Sequence, residues 1–550
     1  MRQGGNESKL NGMNAAISGE TRMKNIAKAS ALLAVFTLLS RLLGLVRDRI
    51  LAGNFGAGVE LDSYTAAFSI PDFLFNLLIF GTLTAAFVPI FSRDLVQDRE
   101  KAANFASVVY TVSVSAIFLL AVILFILAPQ LVGLVFSRFS PEKQALTAQM
   151  ARIMMFSPVL FTASNLAALL LQAHNRFLPT AISPILYNLG IIAGAVWFSG
   201  SLGIVGVAYG ALLGAILHTL FNLISLKTIA LRLRFVLAFG MAEMKELWRL
   251  YLPRLFAFDT FYIGLVVSLL VSQRLADGSL TIIKLASNAQ AVPIGIFALS
   301  FVVAAFPNLS QTWALAHRDD FKRILVLTAT QILFFVVPLS LLMFIMRAQI
   351  VRLLFGGPRF TWEDTYLTAQ TLGVMVLSLF AQSLIPLLAK SFYATYNTKI
   401  PVFVSLFTAG LNVILAFVLS DYFGVVGIGL AMSAASLVGF VLLFVLLRRR
   451  VGRLNGWLVA ERVLKILIAS IVAATAAFAA LYAVAPLLNT HTFFGLLLQT
   501  AAAAAVGLIL YLIAGLLLNL AETRSFLSHG RAWLLRLLRP LNALVSYAER

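Results

Sequence analysis

Run after run of twenty or more apolar residues leaves this chain few folds to choose from. A helix needs about 20 apolar residues to cross a bilayer. The sequence offers fourteen such stretches: 27–55, 62–91, 105–136, 144–173, 178–199, 203–227, 251–273, 279–308, 322–355, 365–395, 400–421, 424–447, 461–488 and 493–520. The runs are continuous rather than alternating, which favours helices over barrel strands. Only 12% of residues are charged, about half the share in a soluble domain. The expected class is an all-α polytopic membrane protein with about 14 transmembrane helices.

The basic residues test that count. They gather in the N-terminal tail (Arg2, Lys9, Arg22, Lys24, Lys28) and after the second, sixth, eighth and twelfth spans, where Arg448, Arg449, Arg450 and Arg453 form the densest group. More follow span 14, from Arg524 to Arg550, whereas the connections after spans 5, 11 and 13 hold no Lys or Arg. Positive charge accumulates on the cytoplasmic side. Both termini are therefore expected in the cytoplasm, which requires an even number of spans. The net charge of +20 then reflects inner-face loops near anionic lipid rather than nucleic-acid binding.

An internal repeat organises the chain. Leu146-Thr147-Ala148-Gln149 recurs as Leu367-Thr368-Ala369-Gln370, and Arg138-Phe139-Ser140 as Arg359-Phe360-Thr361. Asn175 and Pro179 match Asn397 and Pro401, and Gly203 and Gly206 match Gly424 and Gly427. Spans 1–6 and 7–12 are thus two copies of a six-helix unit. Six is even, so both copies enter from the same side, as in transporters built from parallel repeats. The expected organisation is a disordered cytoplasmic tail (1–26), an N-lobe (27–227), an amphipathic interfacial linker (228–250), a C-lobe (251–447), two extra spans (461–520) and a basic amphipathic tail (521–550). Within the linker, 230–249 reads as one helix lying along the inner interface, and 531–545 reads the same way.

Charges inside the apolar runs are the candidate site. One at mid-bilayer costs roughly 2.5–3.5 kcal/mol, so such residues normally face a bundle interior or wet cavity. Span 1 carries Arg41, Arg47, Asp48 and Arg49. Arg41 and Asp48, seven residues apart, share a helix face, with Arg47 turned away from it. Snorkelling at the interface is the plain alternative; it fits Arg49 better than Arg41, which lies deeper in the run. Asp62 and Asp72 follow, and the second half offers Arg254, Asp259 and Lys284. Arg254 suits either a ligand or an interfacial snorkeler, and a salt bridge to it would account for Asp259. Arg and Lys in a cavity suit an anionic substrate, with Arg able to grip phosphate through two parallel hydrogen bonds. The glycines at 203–210 and 424–429 loosely resemble a phosphate loop, but they begin membrane helices, where small residues serve close packing.

Catalytic chemistry has little to work with. There is no Cys, and the five histidines are scattered singly. No nucleophile–base pair, metal-ligand spacing or nucleotide loop stands out. The expectation is a transporter without catalytic residues, cofactor or metal.

Ser40-Arg41-Leu42-Leu43-Gly44, Arg47-Asp48, Phe55-Gly56-Ala57-Gly58 and Asp62 together resemble the opening of the MurJ/MviN lipid II flippases. The likeness continues through Ile70-Pro71, Ala86-Phe87-Val88-Pro89, Val292-Pro293-Ile294-Gly295, Phe306-Pro307-Asn308-Leu309-Ser310 and Tyr393-Ala394. It implies the multidrug/oligosaccharidyl-lipid/polysaccharide exporter fold in a bacterial inner membrane. It also implies flipping of an undecaprenyl-pyrophosphate-linked peptidoglycan precursor by alternating access, working as a monomer. Arg41, Arg47, Asp48 and Asp62 then become cavity and gating residues, and spans 13–14 a groove for the lipid tail. Energy would come from the membrane potential, sodium or protons.

The sequence departs from that family at telling places. Family arginines and a glutamate of span 2 are replaced by Phe75, Asn76 and Phe80, and an arginine of span 8 by Asn288. Lys284 lies one turn before Asn288 on the same helix face. The expectation is that Lys284, with Arg254, supplies the missing positive charge. The altered charges leave two further readings open: a flippase for another polyprenyl-linked polysaccharide unit, or a non-transporting membrane scaffold of the same fold.

Overall fold

The computed structural model describes residues 35–76, 82–229, 233–238, 240–255, 267–452 and 456–528. Every regular element among them is a helix. Two compact units emerge, Met1–Phe258 with Gly357–Phe360, and Asp259–Gly356 with Thr361–Arg550.

The first unit holds α1 (35–55), α2 (Val59–Phe75), α3 (Thr82–Gln97), α4 (Arg99–Ile126), α5 (Ala128–Val135), α6 (Pro141–Met154), α7 (Ser157–Ala173), α8 (Leu178–Leu202), α9 (Val205–Ser225) and α10 (Ala242–Leu255). The second holds α11 (267–272), α12 (Ser279–Ala314), α13 (Arg318–Ile345), α14 (Arg347–Phe355), α15 (Trp362–Val376), α16 (Leu379–Ala394), α17 (Lys399–Val451), α18 (Gly456–Val484) and α19 (Phe493–Leu517).

Nine described helices are long and apolar enough to cross a membrane, and the pair α15–α16, bent by 46°, makes a tenth. Each shortfall from fourteen has a local reason. Gly424, at φ 57°, breaks α17 into the two expected spans. Span 1 carries too many charges to pass as apolar. The middle of span 2 and most of span 7 lie outside the described residues.

The repeat is written into the backbone. The left-handed conformation, unusual for residues other than glycine, occurs at Asn175 and Tyr396, and again at Gly203 and Gly424, 221 residues apart each time. The break between α6 and α7 recurs between α15 and α16. Ser140 caps α6 by accepting from the Lys143 amide at 3.3 Å. Its counterpart Thr361 caps α15 by accepting from the Asp364 amide at 3.1 Å, and Asp364 accepts in return from the Thr361 amide, completing a capping box.

Glycine sets the closest packing in the first unit. A Cβ on Gly190 or Gly194 of α8 would collide with the backbone of Gly214 or Gly210 of α9, and one on Gly206 with the Phe198 carbonyl. These glycines recur every four residues, the spacing that lets membrane helices touch backbone to backbone. The same device holds Gly357–Phe360 against α1. The Arg359 amide donates to the Gly53 carbonyl at 3.1 Å, and a side chain on Gly357 would strike Gly53. In α12, Pro293 is followed by a π turn over Ile294–Ala298, the wide turn that accommodates a disrupted hydrogen-bond ladder.

The single amphipathic helix expected over 230–249 is corrected. Residues 233–238 form no helix and run beside α4, and the helix begins only at Ala242. Backbone groups left without helical partners are met by side chains of α4. The Arg234 amide donates to Ser107 Oγ at 3.2 Å, and the Val236 amide to Thr111 Oγ1 at 3.2 Å. α10 then docks through two ion pairs, Lys101–Glu243 at 2.6 Å and Arg93–Glu246 at 3.0 Å. Arg254 lies on this same helix, and most of span 7 lies outside the described residues. The expected tails at 1–26 and 531–545, with Phe80 and Asp259, lie outside the described residues.

Candidate functional site

Two ion pairs, one half-buried and one buried, mark the first unit. Arg47 turns its guanidinium onto its neighbour in sequence, with Nε and Nη2 at 2.9 and 2.7 Å from Asp48 Oδ1. Nη1 donates to Asn188 Oδ1 of α8 at 3.0 Å. Asn188 in turn donates to the Pro184 carbonyl at 3.0 Å, which fixes its amide. Adjacent helical residues point apart, and only the length and fork of arginine close this pair. The sequence, by placing Arg47 off the Arg41–Asp48 face, does not reveal it.

The second pair is Asp62 Oδ2 to Lys143 Nζ at 3.0 Å, joining α2 to α6, with side chains 3% and 4% exposed. Lys143 also lies over the Phe139 ring, 4.2 Å from its centre. Lys143 falls one residue before the apolar run counted as span 4 and so reads as a flanking residue in the sequence. Its signal was the preceding Ser140-Pro141, a cap and first-turn proline that carry α6 back past Lys143.

Arg41 sits half-buried on α1. Asp72 accepts from Asn76 Nδ2 at 3.1 Å and borders a small cleft lined by Phe68, Pro71, Phe75, Phe161 and Tyr187 among others. Phe75, standing where the resemblance expects a cation, packs against Phe161 at 5.4 Å between ring centres. The aromatic pair makes this wall apolar.

In the second unit, Lys284 and Asn288 are one turn apart on α12, both half-buried. Lys284 makes no hydrogen bond or ion pair among the described residues. Nearby polar side chains are occupied by backbone: Gln290 Nε2 donates to the Met375 carbonyl at 2.6 Å and Ser433 Oγ to the Val374 carbonyl at 2.8 Å, both at the bend between α15 and α16. The sequence also passed over Lys390 of α16, whose ammonium lies 4.8 Å from the Phe306 ring centre and 5.8 Å from that of Tyr393.

Arg47 and Lys143 thus have acidic partners. Lys284 and Lys390 form no ion pair among the described residues. A lysine ammonium without an acidic partner can hold an anion.

The chain is similar to known proteins. The family described as "Lipid II flippase MurJ" matches residues 51–520. The chain is similar to a probable lipid II flippase MurJ of Thermotoga maritima, 29% identical over 423 residues, covering 76% of this chain and 85% of that protein. It is also similar to the lipid II flippase MurJ of Burkholderia cenocepacia, 26% identical over 435 residues, covering 78% and 84%. Among solved structures, a lipid II flippase MurJ in an inward closed conformation superposes with a TM-score of 0.74 at 25% identity, covering 88% of this chain and 98% of that one. An inward-facing MATE transporter of the MOP superfamily shares the fold, with a TM-score of 0.63 at 16% identity. With the family match running from α1 through α19, this multi-pass membrane protein belongs to the lipid II flippase MurJ family.

Proposed function

We propose that this chain moves lipid II, an undecaprenyl-diphosphate-linked peptidoglycan precursor, from the inner to the outer leaflet of a bacterial inner membrane. Both termini lie in the cytoplasm, and its two lobes alternate access. The observation that carries the reading is the family match over 51–520, joined by membrane-embedded cations that lack acidic partners. Lys284 binds the diphosphate in place of the arginine that Asn288 replaces. In the first lobe, Arg47 is held by Asp48 and Asn188 and orients the α1–α8 contact. Arg41, one face of α1 away, is its candidate substrate contact.

Replacement of the native flippase in a depleted bacterial strain tests this directly. Expression of this chain should restore growth and lipid II translocation; lysis despite normal membrane levels of the protein would refute it. A second reading, a flippase for another polyprenyl-linked glycan, is favoured by one observation, the Phe75–Phe161 stack on a wall where the resemblance expects charge. Rescue of an O-unit export defect without rescue of peptidoglycan synthesis would select it.

A further inference from the structure

We propose that Lys390 is a second diphosphate contact, at the cytoplasmic end of the C-lobe. This inference rests on the lipid-diphosphate reading above and adds a residue that the sequence did not single out. Lys390 lies four residues before the end of α16, about 6 Å along the axis. The Thr395 that follows is bound by Arg450, whose Nη2 donates to the Thr395 carbonyl at 2.8 Å and whose Nε donates to its hydroxyl at 3.0 Å. Arg450 closes the Arg448–Arg450 cluster, the densest basic group in the chain, and positive charge marks the cytoplasmic side. Lys284 sits about 7 Å from the start of α12, at the opposite membrane face by the order of the spans.

Lys390 is half-buried, and its ammonium lies near the Phe306 and Tyr393 rings. An aromatic face attracts a cation but leaves its charge uncancelled. Among the described residues Lys390 forms no ion pair with a carboxylate. A diphosphate would supply the opposite charge, through charge-assisted hydrogen bonds to the three N–H donors. Lys390 would thus meet the anion at entry, and Lys284 would hold it nearer the outer face.

The test uses the full-length protein in nanodiscs and a short polyprenyl diphosphate, farnesyl diphosphate, as probe, with farnesol and phosphatidylglycerol as controls. Lys390→Gln should weaken diphosphate binding about tenfold or more, the loss expected for one charge-assisted contact, and leave farnesol binding unchanged. Lys390→Arg should stay near wild type. Phe306→Leu, which removes the ring and keeps the ammonium, should retain diphosphate affinity; this separates anion binding from a packing role even if Lys390→Gln folds poorly. Equal affinity of Lys390→Gln and wild type, or loss in Phe306→Leu, overturns the proposal and leaves the flippase reading standing. Displacement of the diphosphate by equimolar phosphatidylglycerol overturns it too, since the contact would then be with bulk anionic lipid. A wild-type protein that binds no diphosphate and replaces no flippase would remove both readings together.

Discussion

Lys143 Nζ lies 3.0 Å from Asp62 Oδ2, with both side chains almost wholly enclosed. Removing one member of such a pair strands the other charge, which costs about 3–5 kcal/mol, whereas replacing both with apolar residues of similar size is often neutral. Asp62→Asn and Lys143→Met should each lower the melting temperature of the purified protein sharply. The double variant should recover most of the loss. If the two single losses simply add, the pair contributes no coupling.

Arg47 bridges Asp48 and Asn188 with three hydrogen bonds from one planar group. A lysine has a single charged centre and cannot reproduce that fork. Arg47→Lys should fold yet lose about tenfold or more in flipping, a size that fits misplacement of a positioning contact. Transport by Arg47→Lys equal to wild type in a leaflet-accessibility assay would show the fork to be dispensable.

Glycines at two places predict opposite outcomes. Gly210→Leu drives a side chain into the backbone of Gly194, and overpacking of this kind costs about 1–3 kcal/mol. Gly410 of α17 has open space where a Cβ would go, so Gly410→Ala should gain about 0.5–1 kcal/mol from restricted backbone freedom. Thermal melts of the two variants should move in opposite directions.

The docking of α10 should depend on pH. The Lys101 ammonium, hydrogen-bonded to Glu243, holds that carboxyl below its ordinary value. A carboxyl depressed in the folded state stabilises it above the unfolded value of about 4.3 and ceases to as pH falls through the lower folded value. Fluorescence of Trp248 on α10 should therefore change on acidification below about pH 4. Glu243→Gln should weaken the acid transition; a transition identical to wild type would place the titrating group elsewhere.

Much of the fold was legible because membrane helices announce themselves by length, and the repeat by matched residues. The sequence pairs Asn175 with Asn397, whereas the backbone pairs Asn175 with Tyr396. The slip of one arises because tyrosine gives no hint of a left-handed turn. The non-helical stretch 233–238 was hidden for another reason. Its basic and apolar residues interleave as an interfacial helix would, and the partners that satisfy its backbone, Ser107 and Thr111, lie more than 120 residues away. The candidate site was half visible: charged residues could be located, but their pairing depends on reach. Arg47 closes onto Asp48 by its length, Lys143 onto Asp62 across two helices, and Lys390 drew no notice beside the motif residues of span 1.

The lysines without acidic partners have a consequence for energetics. Moving one elementary charge through a membrane potential of 100 mV involves about 2.3 kcal/mol. An empty C-lobe carrying Lys284 and Lys390 feels that field as a cation, drawn toward the negative cytoplasmic face. A diphosphate held as proposed at Lys284 and Lys390 would cancel the charge and release the lobe from the pull. The voltage that biases the empty carrier inward, ready to load, would then oppose the loaded one far less, so that the cargo itself acts as the switch.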